Sequence, residues 1–576
     1  MKLIFKYLKP FFRRMSGGLA IKILGTVVEL ALPLILTYIL DFVVPSGDLP
    51  RIIAYGVLMI FCAASACILN IIANRMAARV ARNFSEKIRH DLFESIMHLS
   101  ARQTDKFTIP SLESRITTDT YHIHHFVGMM QRMGVRAPIL LVGGVVITLI
   151  MDPLLSLVMI ALLPLIFVTV LFVSKKGVPL YSKVQGSVDG MVRVVREDSQ
   201  GIRVIKALSR EEYECEKYDK ANRALVSNER RAGLTMGIVN PVMSLFMNMG
   251  SVFVILLGAN LIIKGESGTT PAVIIAFMQY FTQISMAMMT MTRIFMMYTK
   301  SSASAKRIEE VLNTEPDLKL ESESEYPCVD DGSHISFDNV SFSYKGKKNN
   351  LSNISFSVKK GGSVGIIGAT GSGKTTLISL LMRFYDVSRG SIRISGRDVR
   401  TIPENELHSM FGVALQNDFL YADTVAENIR FGRDISDEKI KNAARIAQAE
   451  DFIEAFPEKY EHMLSQKGTN VSGGQKQRLL IARAVAASPD ILILDDSSSA
   501  LDYKTDANLR RALAENMGDT TIVTVAQRVS SVMSCDLIIV LENGEIADMG
   551  THEKLMRDCD IYREISDSQM GGAIVE

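Results

Sequence analysis

"SVGIIGATGSGKTTLISLLM", residues 363 to 382, decides how the rest of the chain is read. The apolar run SVGIIG reads as a buried strand. It feeds the loop Gly368–Ala–Thr–Gly371–Ser372–Gly373–Lys374–Thr375, which fits G-x-x-x-x-G-K-[ST], and an apolar helix follows. Glycines there let backbone N–H groups approach phosphate, and the start of the helix favours negative charge. Lys374 is placed to reach the β- and γ-phosphates of a nucleotide and Thr375 to ligate Mg2+, with Thr376 beside them. Strand, loop and helix in this order make the signal specific.

Working outward, residues 335–576 alternate short strands with amphipathic helices, an α/β pattern with a parallel sheet at its centre. In "ILILDDSSSALD", residues 491–502, four apolar residues run into Asp495, the expected magnesium-side carboxylate. Asp496 follows it. Upstream, "TEPDLKLESESEYPCVDDGS", residues 314–333, reads as an acidic, Pro-containing linker, taken as 316–334.

Residues 1–315 are different. They contain six apolar segments, near 17–44, 52–73, 136–152, 154–174, 238–264 and 271–298, long enough to cross a bilayer, which takes about 20 helical residues. Two long charged stretches, 74–107 and 175–225, alternate with the short loops PSGDLPR, MDP and KGESGTTP. Lys and Arg crowd the long loops and the N-terminus, so both termini are expected in the cytoplasm of a multi-pass cell-membrane protein, in contact with membrane lipids. A positive mean hydropathy of +0.18 beside 22% charged residues fits a chain that is part membrane, part soluble domain. The net charge of +2 leaves no basic footprint for a nucleic-acid partner. Six scattered cysteines, without a C-x-x-C pair, read as reduced thiols rather than a disulfide or zinc framework. The basic, aromatic start "MKLIFKYLKPFFRRMSGG" shows no cleavable signal pattern.

The accompanying motifs identify a family. "NVSGGQKQRLLIARA", residues 470–484, resembles the signature of ABC-transporter ATPases, with Ser472, Gly473, Gly474 and Gln475 at its centre. "VALQND" carries Gln416 at the place of the Q-loop glutamine, a magnesium ligand in the family. "SALD", ending at Asp502, matches the D-loop, and "FSYKG" puts Tyr344 where an aromatic stacks on adenine. "FTIPSLESRITTDT", residues 107–120, and "GIRVIKALSREEYE", residues 201–214, resemble the loops that carry coupling helices in ABC exporters. The resemblance spans essentially the whole chain. It implies a six-helix exporter membrane domain followed by an ABC nucleotide-binding domain, ATP and Mg2+ as cofactors, and a second half-transporter. Each ATP would lie between the phosphate loop of one chain and the signature of the other.

Two positions depart from the family. Asp496 stands where exporters place a glutamate general base, and its carboxylate is one methylene, about 1.5 Å, short of the attacking water. Gln527, in "TIVTVAQRVSS", replaces the switch histidine and cannot carry its charge. "LSQKGTN" has Gln466 at about the place where many exporters have glutamate. The pattern resembles the degenerate-site subunit of bacterial heterodimeric multidrug-type exporters, as does "VRAPILLVGGVV" in the third span, residues 135–146. A heterodimer is therefore expected, with a homodimer as the alternative. The cargo expected is a small amphipathic compound, a drug or lipid. A peptide exporter, or an ATP-sensing gated membrane protein without net pumping, stays open.

Glu29 lies deep in the first span, a candidate for cation recognition or proton-dependent gating. Asn240, Asn248 and Gln283 are further cavity candidates, and ten methionines in the last two spans suit a surface that repacks around diverse apolar ligands.

Overall fold

The structure, a computed structural model, describes residues 1–264, 269–329, 331–344, 346, 349–416 and 419–570. For residues 170, 173, 174, 178, 239, 240, 292 and 570, within its helices, it describes the backbone alone. The chain divides into two compact units. One comprises Met1–His98 and Thr108–Thr314, the other Leu99–Phe107 and Glu315–Glu576.

The first unit is helical. Among the described residues, five helices are long and apolar enough to cross a membrane: Lys2–Val43, Leu49–Met97, Ile109–Met151, Glu211–Lys264 and Pro271–Leu312. The remaining expected span corresponds to the shorter apolar stretch Pro153–Thr169, which opens a helix running to Ala207. The short loops act as helix starts. Asp48, Asp152 and Thr270 each cap the following helix with a side-chain oxygen, and a proline occupies its first turn. Asp152 accepts from the amides of Leu154 at 2.9 Å and Leu155 at 3.1 Å, and its other oxygen takes the Thr269 hydroxyl. Charged stretches between spans do not break the helices, because Ala, Arg, Glu and Lys are all good helix formers; Leu49–Met97 is one helix of 49 residues. The core lies on the last helix, where Phe277, Tyr280 and Ile284 are fully buried. A Cβ on Gly250 would come within 2.6 Å of the Phe281 ring, so glycine there lets two helices approach closely. Phe61, Ile150 and Ile263 point outward and are largely exposed, as lipid-facing side chains are.

The second unit holds two sheets. Strands β1 (Ile335–Phe342), β2 (Leu351–Val358), β4 (Arg389–Ile394) and β5 (Arg397–Asp398) form an antiparallel sheet in the order β2-β1-β4-β5. The other sheet has the order β10-β9-β3-β8-β7-β6. Its strands are β3 (Ser363–Gly368), β6 (Phe411–Ala414), β7 (Ile491–Asp495), β8 (Thr521–Ala526), β9 (Leu537–Glu542) and β10 (Glu545–Gly550). All pairings among β6, β7, β8, β3 and β9 are parallel. Parallel strands are covered on both faces and so read as continuous apolar runs; every residue of β7 is buried. The acidic stretch read as a linker lies against this unit. The Glu321 amide donates to Arg400 O at 2.9 Å, that of Val329 to Gly396 O at 3.0 Å, and the Arg400 guanidinium sits 3.8 Å from the Tyr326 ring centroid. The segment Leu99–Phe107 belongs here too, just ahead of the stretch expected to carry the first coupling helix. Within it Asp105 accepts from the Tyr385 hydroxyl at 2.8 Å, and Gln103 Nε2 donates to Glu315 O at 2.7 Å.

Candidate functional site

Strand order builds the site. β8 lies between β3 and β7, so the ends of three parallel strands bring the phosphate loop, Asp495–Asp496 and Gln527 to one edge of the sheet. Ligands bind at this carboxyl edge in open α/β sheets. A cavity of about 290 Å³ opens there. Of the residues expected from sequence, Gly371, Gly373, Lys374, Thr375, Thr376, Gln416, Asp495, Asp496 and Gln527 line it.

The loop has the backbone that its glycines allow. Gly371 and Gly373 have φ of +84° and +105°, and a Cβ on Gly371 would meet nothing within 4 Å. Gly373 caps the helix Lys374–Leu381. The Lys374 ammonium donates to Gly368 O at 2.8 Å and Ala369 O at 2.9 Å, which leaves one donor for a phosphate oxygen. Burial lowers the pKa of Lys374, while Asp495 and Asp496 pull it up. The Ser372 hydroxyl is buried in the loop without a partner.

Asp495 is 2% exposed and its Oδ2 has no hydrogen-bond partner. Burial first, then the Asp496 charge, pushes its carboxyl up to about 6, against the opposing pull of Lys374 and the Thr375 hydrogen bond. An orphaned buried carboxylate oxygen beside a threonine hydroxyl is a donor set that fits a divalent cation.

Asp496 leaves β7 in the left-handed region, φ 50°, which aspartate tolerates better than most residues, and its amide donates to Val525 O at 2.8 Å. Its Oδ2 accepts from Gln527 Nε2 at 3.1 Å and Gln416 Nε2 at 3.2 Å. The base position is thus a short carboxylate clasped by two neutral amides. Its pKa is raised by burial, with the Gln416 hydrogen bond the largest opposing effect.

The remaining candidates sit outside that cavity. Tyr344 stands at right angles to the Tyr385 ring, 5.1 Å between centroids, and its hydroxyl donates to Thr376 Oγ1 at 3.3 Å. Ser472 is exposed and caps the helix Gly473–Ala486: its hydroxyl accepts from the Gln475 amide at 3.2 Å, and its own amide donates to Gln475 Oε1 at 2.9 Å. Ala500 O lies 3.1 Å from where a Cβ of Gly474 would be, so the D-loop packs on the start of the signature helix. Asp502 caps Tyr503–Asn516 through the Thr505 amide at 2.9 Å.

Three contributors have no motif of their own. Asn350 lines the cavity and accepts from the Tyr344 amide at 3.2 Å. Gln569, in the helix Asp560–Met570, donates to Gln527 O at 2.8 Å and accepts from the Val529 amide at 2.9 Å. Arg528 spans to Ser499 O at 3.4 Å, tying the switch loop to the D-loop.

In the membrane unit, the Glu29 carboxylate is engaged by Arg136, with Nε at 3.2 Å and a terminal nitrogen at 2.5 Å. Glu29 therefore offers no free carboxylate to a cation. Asn248 is exposed, Gln283 is half-buried with Oε1 orphaned, and the Asn240 side chain lies outside the described residues. The methionines divide: Met243 and Met288 are buried against Ile166, while Met249, Met278, Met286 and Met291 are exposed.

A mostly parallel sheet with a phosphate loop at its carboxyl edge, in one chain with long apolar helices, defines a membrane-linked nucleotide-binding protein. Residues 15–288 match the ABC transporter transmembrane region family and residues 351–499 the ABC transporter family. An uncharacterized ABC transporter ATP-binding protein of Mycobacterium tuberculosis is 34% identical over 580 residues, covering 100% of this chain and 99% of the relative. YfiB of Bacillus subtilis, an ABC transporter ATP-binding protein, is 33% identical over 575 residues, covering 99% of each. A bacterial Atm1-family ABC exporter, solved with ATP bound, shares the fold with a TM-score of 0.80 at 24% identity, over 96% of this chain and 97% of that one. The chain belongs to the ABC transporter family, with membrane and ATPase regions fused as in a half-transporter of the exporter fold. Its ABC ATPase domain implies use of ATP and Mg2+.

Proposed function

We propose that the chain is one half of a heterodimeric exporter of amphipathic compounds, holding Mg-ATP at a site that hydrolyses it slowly and lending its signature to a partner with a complete site. The observation that carries this reading is the clasp of Asp496 by Gln416 and Gln527, which supplies no full-length carboxylate and no imidazole.

Lys374 and the loop amides would hold the phosphates, Thr375, Gln416 and Asp495 the Mg2+, and Tyr344 the adenine. Bound Mg2+ neutralises charge on the β- and γ-phosphate oxygens. Asp496 ends one methylene short of a glutamate, and its Oδ2 already accepts hydrogen bonds from two neutral amides, so it is poorly placed to reach an attacking water. Ser472, Gly473, Gly474, Gln475 and Asp502 would act across the interface on the ATP of the second chain. The exposure of Ser472 and Gly473 at the start of the signature helix supports this role. Lys and Arg in the N-terminal and long-loop segments support cytoplasmic termini in the cell membrane.

The test is ATP turnover of the chain alone and with a co-purified second half-transporter. Binding with little hydrolysis alone, and brisk hydrolysis in the pair that is lost when the partner's base is changed, is expected. Brisk hydrolysis and transport by this chain alone refute the division of labour.

A further inference from the structure

We propose that a cavity among the first three membrane helices, walled by Lys22, Glu29, Asn70, Asn74 and Arg136, holds the anionic headgroup of a membrane amphiphile. Its volume is about 350 Å³. Lys22 is 4% exposed, and its ammonium donates to Asn70 Oδ1 at 2.7 Å and Asn74 Oδ1 at 3.1 Å. An ammonium has three donors, so one remains. Among the described residues no carboxylate forms an ion pair with Lys22. Glu29, the only acid in the cavity wall among the described residues, is held in two-point contact by Arg136.

Two cations against one carboxylate leave the cavity with one uncompensated positive charge. Such a charge is costly within a hydrocarbon layer, and an anion entering the cavity removes the cost. Glu29 lies twelve residues below Asp41 on the same helical run, about 18 Å at 1.5 Å per residue, and Lys22 about 10 Å further. The charges therefore occupy the half of the layer nearer the Lys- and Arg-rich loops. Leu32, Ala63 and Ala66 complete the wall with apolar surface, which suits the first carbons of a tail. A carboxylate or phosphate at the end of an alkyl chain matches both parts. This assignment deepens the export reading, but rests on it only for the role of the amphiphile as cargo.

Cys67 also lines the cavity and is exposed, so it reports occupancy. The experiment uses the full chain in phosphatidylcholine nanodiscs, with Cys67 as its single thiol, and follows modification by N-ethylmaleimide without ATP. Oleate is expected to slow the reaction saturably, while oleylamine and inorganic phosphate leave it unchanged. Lys22→Gln should raise the half-protecting oleate concentration at least about tenfold, and Glu29→Gln should lower it, since one removes and the other adds net positive charge near the headgroup. A merely structural role moves both variants the same way. Asn74→Asp keeps an acceptor for Lys22 and gives it an ion partner, so the fold is retained while oleate protection is lost. Equal protection by oleylamine, protection by phosphate alone, an unreactive Cys67, or unchanged oleate protection in Lys22→Gln each overturns the assignment. Binding without ATP-driven transport of oleate by the assembled pair would instead overturn its role as cargo and leave the site standing.

Discussion

Asp496→Glu tests the slow site directly. The carboxylate now ends where Gln416 and Gln527 hold it, at 3.2 and 3.1 Å. One more methylene carries it outward by about 1.5 Å, and a displacement of about 1 Å in a catalytic group can change a rate about 100-fold, or about 2.7 kcal/mol. Against that gain stand the two amide hydrogen bonds, each worth about 1 kcal/mol net, of which the longer chain keeps at most one in its present form. The left-handed φ of 50° also suits glutamate less well than aspartate. The balance leaves about 1 kcal/mol, a five- to tenfold rise in turnover. Gln527→His should add to it by supplying a ring able to carry charge. Phosphate release by the full chain alone in nanodiscs at saturating Mg-ATP, with Lys374→Ala as the blank, is the assay. If the unmodified chain already turns over far above the blank and Asp496→Glu leaves the rate unchanged or lowers it, the site is not impaired and aspartate is the working base at its present length.

Two further outcomes follow from the same edge of the sheet. Asp495, raised from 3.8 to about 6, binds its proton more tightly folded than unfolded. Its contribution therefore stabilises the nucleotide-free fold at low pH and is lost as pH rises through about 6, whereas Mg2+ needs the ionised form. The rise in unfolding temperature on adding Mg-ATP should be larger at pH 7.5 than at pH 5.5, and should lose this difference in Asp495→Asn. Gln569→Ala removes the acceptor of the buried Val529 amide and the donor to Gln527 O, at a cost of about 1–3 kcal/mol for the orphaned amide. Hydrogen exchange over residues 527–533 should accelerate, while exchange in β3 stays as it is.

What was legible in the sequence is what the backbone demands locally. The glycines at 371 and 373 sit at positive φ, and the run ILIL is a strand buried on both faces. Each of these constraints acts over a few residues. The linker reading failed to show its attachment because acidic composition describes solvation, whereas the strap is made by backbone groups of Glu321 and Val329. Gln569 was invisible for a similar reason: one glutamine in a surface helix carries no pattern, and its role appears only when that helix lies on the switch loop.

The membrane half shows the same limit with a chemical consequence. From sequence, Glu29 is an isolated acid in an apolar span, and an isolated acid suggests a cation. Helix rotation and tilt, which hydropathy does not encode, bring it to Arg136, 107 residues away, and bring Lys22 to Asn70 and Asn74. The pairing reverses the sign of the site. A carboxylate read alone predicts attraction for amines, whereas a carboxylate already held by a guanidinium, next to a lysine held only by amides, predicts attraction for acids. The charges within reach of one another, and not the residue that stands out in the sequence, set what the membrane half can recognise.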